Sequence, residues 1–171
     1  MITPERWRPA DGLKLEPNAL RAATETTRSL ALTAGPGAGK TEMLAQRADF
    51  LLRTGACRYP DRILAISFKV DASRNLKERV RKRCGPALAA RLDSHTFHAL
   101  AKRLIDRFRP VLTGKDALDV DYTIGKPRVT RRQIEFEDLV PLAIQILKTS
   151  EVARNAVRQT YSHVFLDEFQ D

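Results

Sequence analysis

The sequence predicts an α/β fold, a parallel sheet with helices on both faces. Three observations carry this. Leu30-Ala31-Leu32-Thr33, Ile63-Leu64-Ala65-Ile66 and Val164-Phe165-Leu166 are short apolar runs without polar alternation, the pattern of buried parallel strands. Longer segments with helical spacing of apolar residues separate them. The first run stops at Gly35 and the last at Asp167, so strand ends meet turn-forming or acidic residues.

The elements follow in order. Pro17, with Leu20 and Ala23 behind it, opens a first helix, since proline is tolerated in the first turn. The strand at 30–33 leads into a glycine-rich turn. Met43, Leu44, Ala48, Leu51 and Leu52 then give a helix over 40–53. Gly55 and Pro60 mark a loop before the strand at 63–66, and 72–83 reads as a strongly basic helix broken by Gly85-Pro86. A short strand at 92–94 precedes a helix from Thr96 to about Phe108. Residues 110–132, with Gly114, Gly125 and Pro127, read as irregular or appended. Helical spacing returns at Phe136, Leu139, Val140, Ala143, Ile144 and Leu147.

The 171 residues suit one ordinary domain, and 43% apolar residues suffice for a core. Lys and Arg number 30 against 21 Asp and Glu, a net charge of +9. That surplus suits a polyanionic partner such as nucleic acid, or simply a basic soluble surface. Cys57 and Cys84 stand apart, which argues against a disulfide framework or a zinc site. The start lacks the apolar stretch of a signal peptide, and no segment nears the roughly 20 apolar residues of a membrane span. The expectation is a cytoplasmic protein with no membrane partner.

Ala34-Gly35-Pro36-Gly37-Ala38-Gly39-Lys40-Thr41 lies between a predicted strand and a predicted helix, the setting of a phosphate-binding loop. Glycines let backbone N–H groups approach phosphate oxygens, and the helix N-terminus adds positive potential. Lys40 is placed to reach the β- and γ-phosphates and Thr41 to ligate magnesium. At the other end of the chain, the strand Val164-Phe165-Leu166 runs into Asp167-Glu168-Phe169-Gln170-Asp171. In α/β sheets ligands sit at the carboxyl ends of strands, which puts these acids beside the loop. Asp167 is the candidate magnesium residue and Glu168 the candidate activator of the attacking water. ATP and magnesium are the expected cofactors.

Together these residues resemble the UvrD/Rep-like group of superfamily 1 DNA helicases. The loop at 34–41 and the Asp-Glu-Phe-Gln-Asp at 167–171 are typical of that group. Ile63-Leu64-Ala65-Ile66-Ser67-Phe68 is similar to the opening of its motif Ia, and Leu92-Asp93-Ser94-His95-Thr96-Phe97-His98-Ala99-Leu100 to its motif Ib. Phe136-Glu137-Asp138-Leu139 resembles a segment ahead of the acidic motif. The resemblance implies a P-loop NTPase (RecA-like) fold and the first motor domain of a helicase or translocase. Its core would span 1–109, a reduced, mostly helical insertion with a return helix 110–160, and the Walker B strand 161–171. It implies Gln170 at the γ-phosphate, acting with Glu168 and Lys40 in catalysis. It also implies Ser67, Phe68, Lys69, Thr96, Phe97 and His98 along a single-stranded DNA track, where aromatic faces stack on bases.

The chain departs from the group's pattern. Ala19 stands where an adenine-reading glutamine is expected. Motif Ia continues Lys69-Val70-Asp71-Ala72-Ser73, which exchanges amide and hydroxyl contacts for a lysine. Only about 70 residues separate motif Ib from the acidic motif. The chain stops at Asp171, so it reads as a fragment or truncated product, with arginine fingers expected from a second motor domain or a partner chain. The alternative is a nucleotide-binding module without useful turnover. A small-molecule kinase leaves the residues at 167–171 and Thr96-Phe97-His98 unexplained. His95-x-x-His98 lacks a third metal ligand. Lys77, Arg79, Arg81, Lys82 and Arg83 are a solvated helix face or a set of phosphate contacts, as are Lys126, Arg128, Arg131 and Arg132.

Overall fold

The computed structural model describes residues 1–33 and 39–167. The chain divides into two compact units, residues 1–94 with 160–171 and residues 95–159. The elements are α1 (Pro17–Thr24), α2 (Lys40–Thr54), β1 (Arg62–Ser67), α3 (Val70–Ala89), β2 (Leu92–Thr96), α4 (Phe97–Phe108), β3 (Leu118–Ile124), β4 (Arg131–Ile134), α5 (Leu139–Thr149), α6 (Glu151–Thr160) and β5 (Tyr161–Leu166).

The first unit is built on a three-stranded sheet in the order β2-β1-β5. β1 and β5 run parallel, with Leu64 opposite Val164 and Ile66 opposite Leu166. β1 is central, and every residue from Ile63 to Ser67 is buried, which explains its unbroken apolar run. β5 behaves otherwise. Phe165 enters the core, but Val164 is 54% and Leu166 42% exposed, so β5 has one covered face rather than two. The predicted strand at 30–33 is not formed: Leu30 and Leu32 are exposed and pair with no described strand. Apolar content cannot make a strand where no neighbour takes up its backbone groups.

Helices and the N-terminal segment complete this unit. Pro17 occupies the first turn of α1. α2 buries Ala45, Ala48, Phe50, Leu51 and Leu52 and ends at Gly55, whose φ of 77° suits a residue without Cβ. Residues before α1 strap across α2: Ile2 N donates to Arg53 O at 3.0 Å and Ala10 N to Gln46 Oε1 at 3.0 Å. Trp7 packs edge-on against Phe50 and donates its indole N–H to the buried Asp49 at 2.7 Å. These bonds give Gln46 Oε1 and Asp49 Oδ2 their partners in the core. α3 is two helical stretches joined across a kink at Gly85, whose φ of 79° and ψ of 167° are non-helical, at the expected Gly85-Pro86 break.

In the second unit α4 packs on α5, and Ile105, Ile134, Leu139, Leu142, Ile146 and Ala153 form its core. This unit starts at His95, whereas the sequence reading puts a boundary at 110. The 110–132 stretch is not simply irregular, because β3 pairs with β4 through Thr123 and Gln133. Leu118, Val120, Tyr122 and Ile124 alternate with polar residues, a period-two signal masked by the flanking Gly114, Gly125 and Pro127. No described helix is long and apolar enough to cross a membrane.

Candidate nucleotide-binding and nucleic-acid site

Gly39 caps α2 with φ 75° and ψ 24°, a left-handed conformation that side chains resist, and its carbonyl accepts the first helical hydrogen bond from Met43 N at 2.9 Å. Lys40 and Thr41 are therefore the first two residues of the helix, where N–H groups lie beyond the reach of intrahelical acceptors and the helix dipole favours an anion. The other expected loop residues, Ala34, Gly35, Pro36, Gly37 and Ala38, lie outside the described residues, as do Glu168, Gln170 and Asp171.

Asp167 follows β5 directly. Its N–H donates to Ile66 O at 2.9 Å, continuing the β1–β5 pairing, and its side chain is buried. Leu44, one turn into α2, lines the same narrow cleft as Ser67, Ser73, Ser94 and Asp167. The cleft thus lies among α2, α3, the middle of β2 and the carboxyl ends of β1 and β5. No group of three or more His, Cys, Asp or Glu suited to a metal exists among the described residues. One hydroxyl and one carboxylate fit magnesium, which binds few protein oxygens and completes its shell with phosphate and water.

A pair of serines ties β2 to α3. Ser94 Oγ donates to Ser73 O at 2.9 Å and lies 2.9 Å from Ser73 Oγ. Ser67 is 4% exposed and donates to Lys69 O at 3.1 Å, so its hydroxyl is spent inside the turn. Phe68, by contrast, is 51% exposed, and Lys69 is exposed at the start of α3. Of the three motif Ia candidates, only Phe68 and Lys69 face outward.

In the second unit Thr96 caps α4, its Oγ1 accepting from Ala99 N at 3.2 Å. Phe97 is half-buried, and His98 stacks on Phe136 with ring centroids 4.2 Å apart and planes 17° from parallel. Three of the four cations expected near here are engaged within the unit. Arg128 meets Asp116 at 2.7 Å, Arg131 meets Asp119 at 2.6 Å, and Lys126 meets Glu137 at 3.2 Å.

The basic helix α3 divides by face. Arg79 donates to Glu42 Oε2 at 2.6 Å, and Arg83 donates to Glu42 Oε1. Arg74, Lys77, Arg81 and Lys82 are exposed and make no ion pair among the described residues. Burial works against the Glu42 carboxylate, but Gln46, Arg83 and Arg79 outweigh it and hold the group below the usual range. Local pattern gives no sign of the Glu42 pairs, because its partners lie 37 and 41 residues away.

Comparison with known proteins fits this geometry. Over 101 residues the chain is 35% identical to DNA helicase IV of Escherichia coli K12, covering 59% of this chain and 14% of that protein. It is 38% identical over 93 residues to the ATP-dependent DNA helicase PcrA of Bacillus subtilis, 54% of this chain and 12% of that one. It is 34% identical over 96 residues to the ATP-dependent DNA helicase Rep of Escherichia coli K12, 56% and 14%. The chain therefore spans only a small part of these relatives' length. The profile of the UvrD/REP helicase N-terminal domain matches residues 15–119 and 111–171. The chain belongs to the UvrD/REP helicase N-terminal domain family.

Proposed function

We propose that this chain is the ATP-binding motor domain of a UvrD/Rep-like DNA helicase or translocase, coupling Mg-ATP hydrolysis to movement on single-stranded DNA. The observation that carries the reading is the left-handed Gly39 cap, which sets Lys40 and Thr41 on the first turn of α2 in the unit where β5 ends on the buried Asp167. The names of the relatives, ATP-dependent DNA helicases, support the same reading.

In this reading the backbone of residues 34–39 cradles the phosphates, and Lys40 neutralises the β- and γ-oxygens. Thr41 and Asp167 hold magnesium, which when bound draws charge off the phosphate oxygens. Glu168 orients and deprotonates the attacking water, and Gln170 reads the γ-phosphate. Arginines from a second motor domain or a partner chain complete the charge stabilisation. Phe68 and Lys69, with the outer row of α3, meet the nucleic acid in one unit, and Thr96, Phe97 and His98 in the other.

Lys40→Ala removes the charge aimed at the phosphates and should abolish binding of a non-hydrolysable Mg-ATP analogue in isothermal titration. Unchanged affinity in the variant would move the nucleotide site elsewhere.

A further inference from the structure

We propose that Glu42 is a positioning residue for the phosphate-binding turn, held in place from α3 by Arg79 and Arg83. The inference rests on the nucleotide-site reading above and adds a residue that the phosphate-loop motif does not contain.

Glu42 is the third residue of α2, next to Thr41. A glutamate at that place commonly folds back onto the helix cap. Here its carboxylate instead faces α3. Oε2 accepts from Arg79 Nη1 at 2.6 Å, and Oε1 accepts from Arg83 Nη2 and from Gln46 Nε2 at 2.9 Å. Gln46 in turn accepts from Ala10 N at 3.0 Å in the N-terminal strap. The carboxylate therefore joins α3 to the turn that carries Lys40 and Thr41 directly, and the N-terminal strap to it through Gln46. Gly39 contributes no side chain, so the cap itself gives no side-chain anchor. The Arg83 side chain is 6% exposed, and such a buried charge needs its partner, which fixes the geometry more firmly than a solvated pair does.

Phosphate recognition depends on placement, and a shift of about 1 Å in a positioned group costs on the order of a hundredfold in the worst cases. Loosening the first turn of α2 should therefore weaken nucleotide binding from either side of the ion pair. Through-space charge predicts something different. Glu42→Gln removes one negative charge and would tighten binding of an anion, whereas Arg83→Gln removes one positive charge and would weaken it. The sign of the Glu42→Gln effect separates the two.

The test is isothermal titration of the 171-residue chain with magnesium and adenylyl imidodiphosphate, for the parent, Lys40→Ala, Glu42→Gln, Arg83→Gln and the Glu42→Gln/Arg83→Gln double variant. Glu42→Gln and Arg83→Gln should each weaken binding roughly tenfold. The double variant should be about as weak as either single one, because both break the same contact. Unfolding midpoints taken without nucleotide establish that each variant is folded at the titration temperature, where a role in fold stability alone leaves the affinity unmoved. If Arg83→Gln does not fold, Arg79→Gln serves, since that side chain is 41% exposed. Affinity in Glu42→Gln equal to or tighter than the parent overturns the proposal while Lys40→Ala still loses binding. A parent that does not bind, or a Lys40→Ala variant that binds normally, overturns the nucleotide-site reading and this inference with it.

Discussion

Single residues set the geometry of this chain where backbone or burial leaves little choice. Among the described residues an added Cβ at Gly39 would meet nothing closer than Glu42 Cβ at 3.9 Å; the φ of +75° is what resists a side chain there. Asp49 is fully buried and tied to Trp7, so tryptophan acts here as a donor as well as an apolar anchor. His163 on β5 offers a pH test. Burial first, and then the Arg47 guanidinium, hold its imidazole below the ordinary range, while Asp61 pulls the other way. The folded chain thus binds fewer protons at this site than the unfolded chain does. Stability from this source is present above the unfolded value of about 6.5 and is lost as pH falls through the folded value. His163→Gln should flatten the stability profile between roughly pH 7 and 5, measured by urea unfolding at each pH. An equally steep fall in the variant would assign the pH dependence to other groups.

At the scale of elements, what the sequence reveals depends on how local the cause is. β1 is legible because burial on both sides of the sheet leaves Ile63-Leu64-Ala65-Ile66 uniformly apolar. The run at 30–33 looks the same in sequence, yet pairing is a nonlocal matter, and no described strand lies beside it. The Gly39-Lys40-Thr41 turn is legible from its glycine and from the apolar spacing of the helix it opens, not from the strand expected ahead of it; the Glu42 link to α3 is not legible, since helix packing alone brings it together with Arg79 and Arg83. α3 shows the same limit. Its charge is plain in sequence, but only packing separates the inner Arg79 and Arg83 from the outer Arg74, Lys77 and Arg81. The outer row spans about 10 Å along the helix axis. Its three cations can neutralise at most about three phosphates. Replacing Arg74, Lys77 and Arg81 with Gln should lower the slope of log affinity against log salt by about 2 for a thymidine oligonucleotide. Nucleotide affinity should stay unchanged, because these side chains do not touch Glu42. A salt slope equal to the parent's would remove the outer row from the nucleic-acid surface.

Over the whole molecule, the chain order interleaves two units with different folding demands. Residues 95–159 form a continuous segment with its own core, in which Ile105, Ile134 and Ile146 are fully buried. The first unit is discontinuous. Its β1–β5 pairing joins Leu64 to Val164, a hundred residues apart, and its core holds Ala65 and Phe165 from those two strands. Pairing across so long a loop carries a closure cost that local helix packing avoids. Separate cores give each unit its own opening equilibrium. Ile146→Ala should therefore cost about 2–5 kcal/mol in the second unit, a large fraction of the roughly 5–15 kcal/mol that holds an ordinary domain folded. Native-state hydrogen exchange resolves where that loss falls. Amides of α4 and α5 should exchange faster by the corresponding factor, while those of α2 and β1 keep their parental rates. Leu51→Ala, in the core of the first unit, should give the reverse pattern. Uniform acceleration across α2, β1, α4 and α5 in either variant would show one cooperative body. The Gly39-Lys40-Thr41 turn would then share its stability with the segment that carries Thr96, Phe97 and His98.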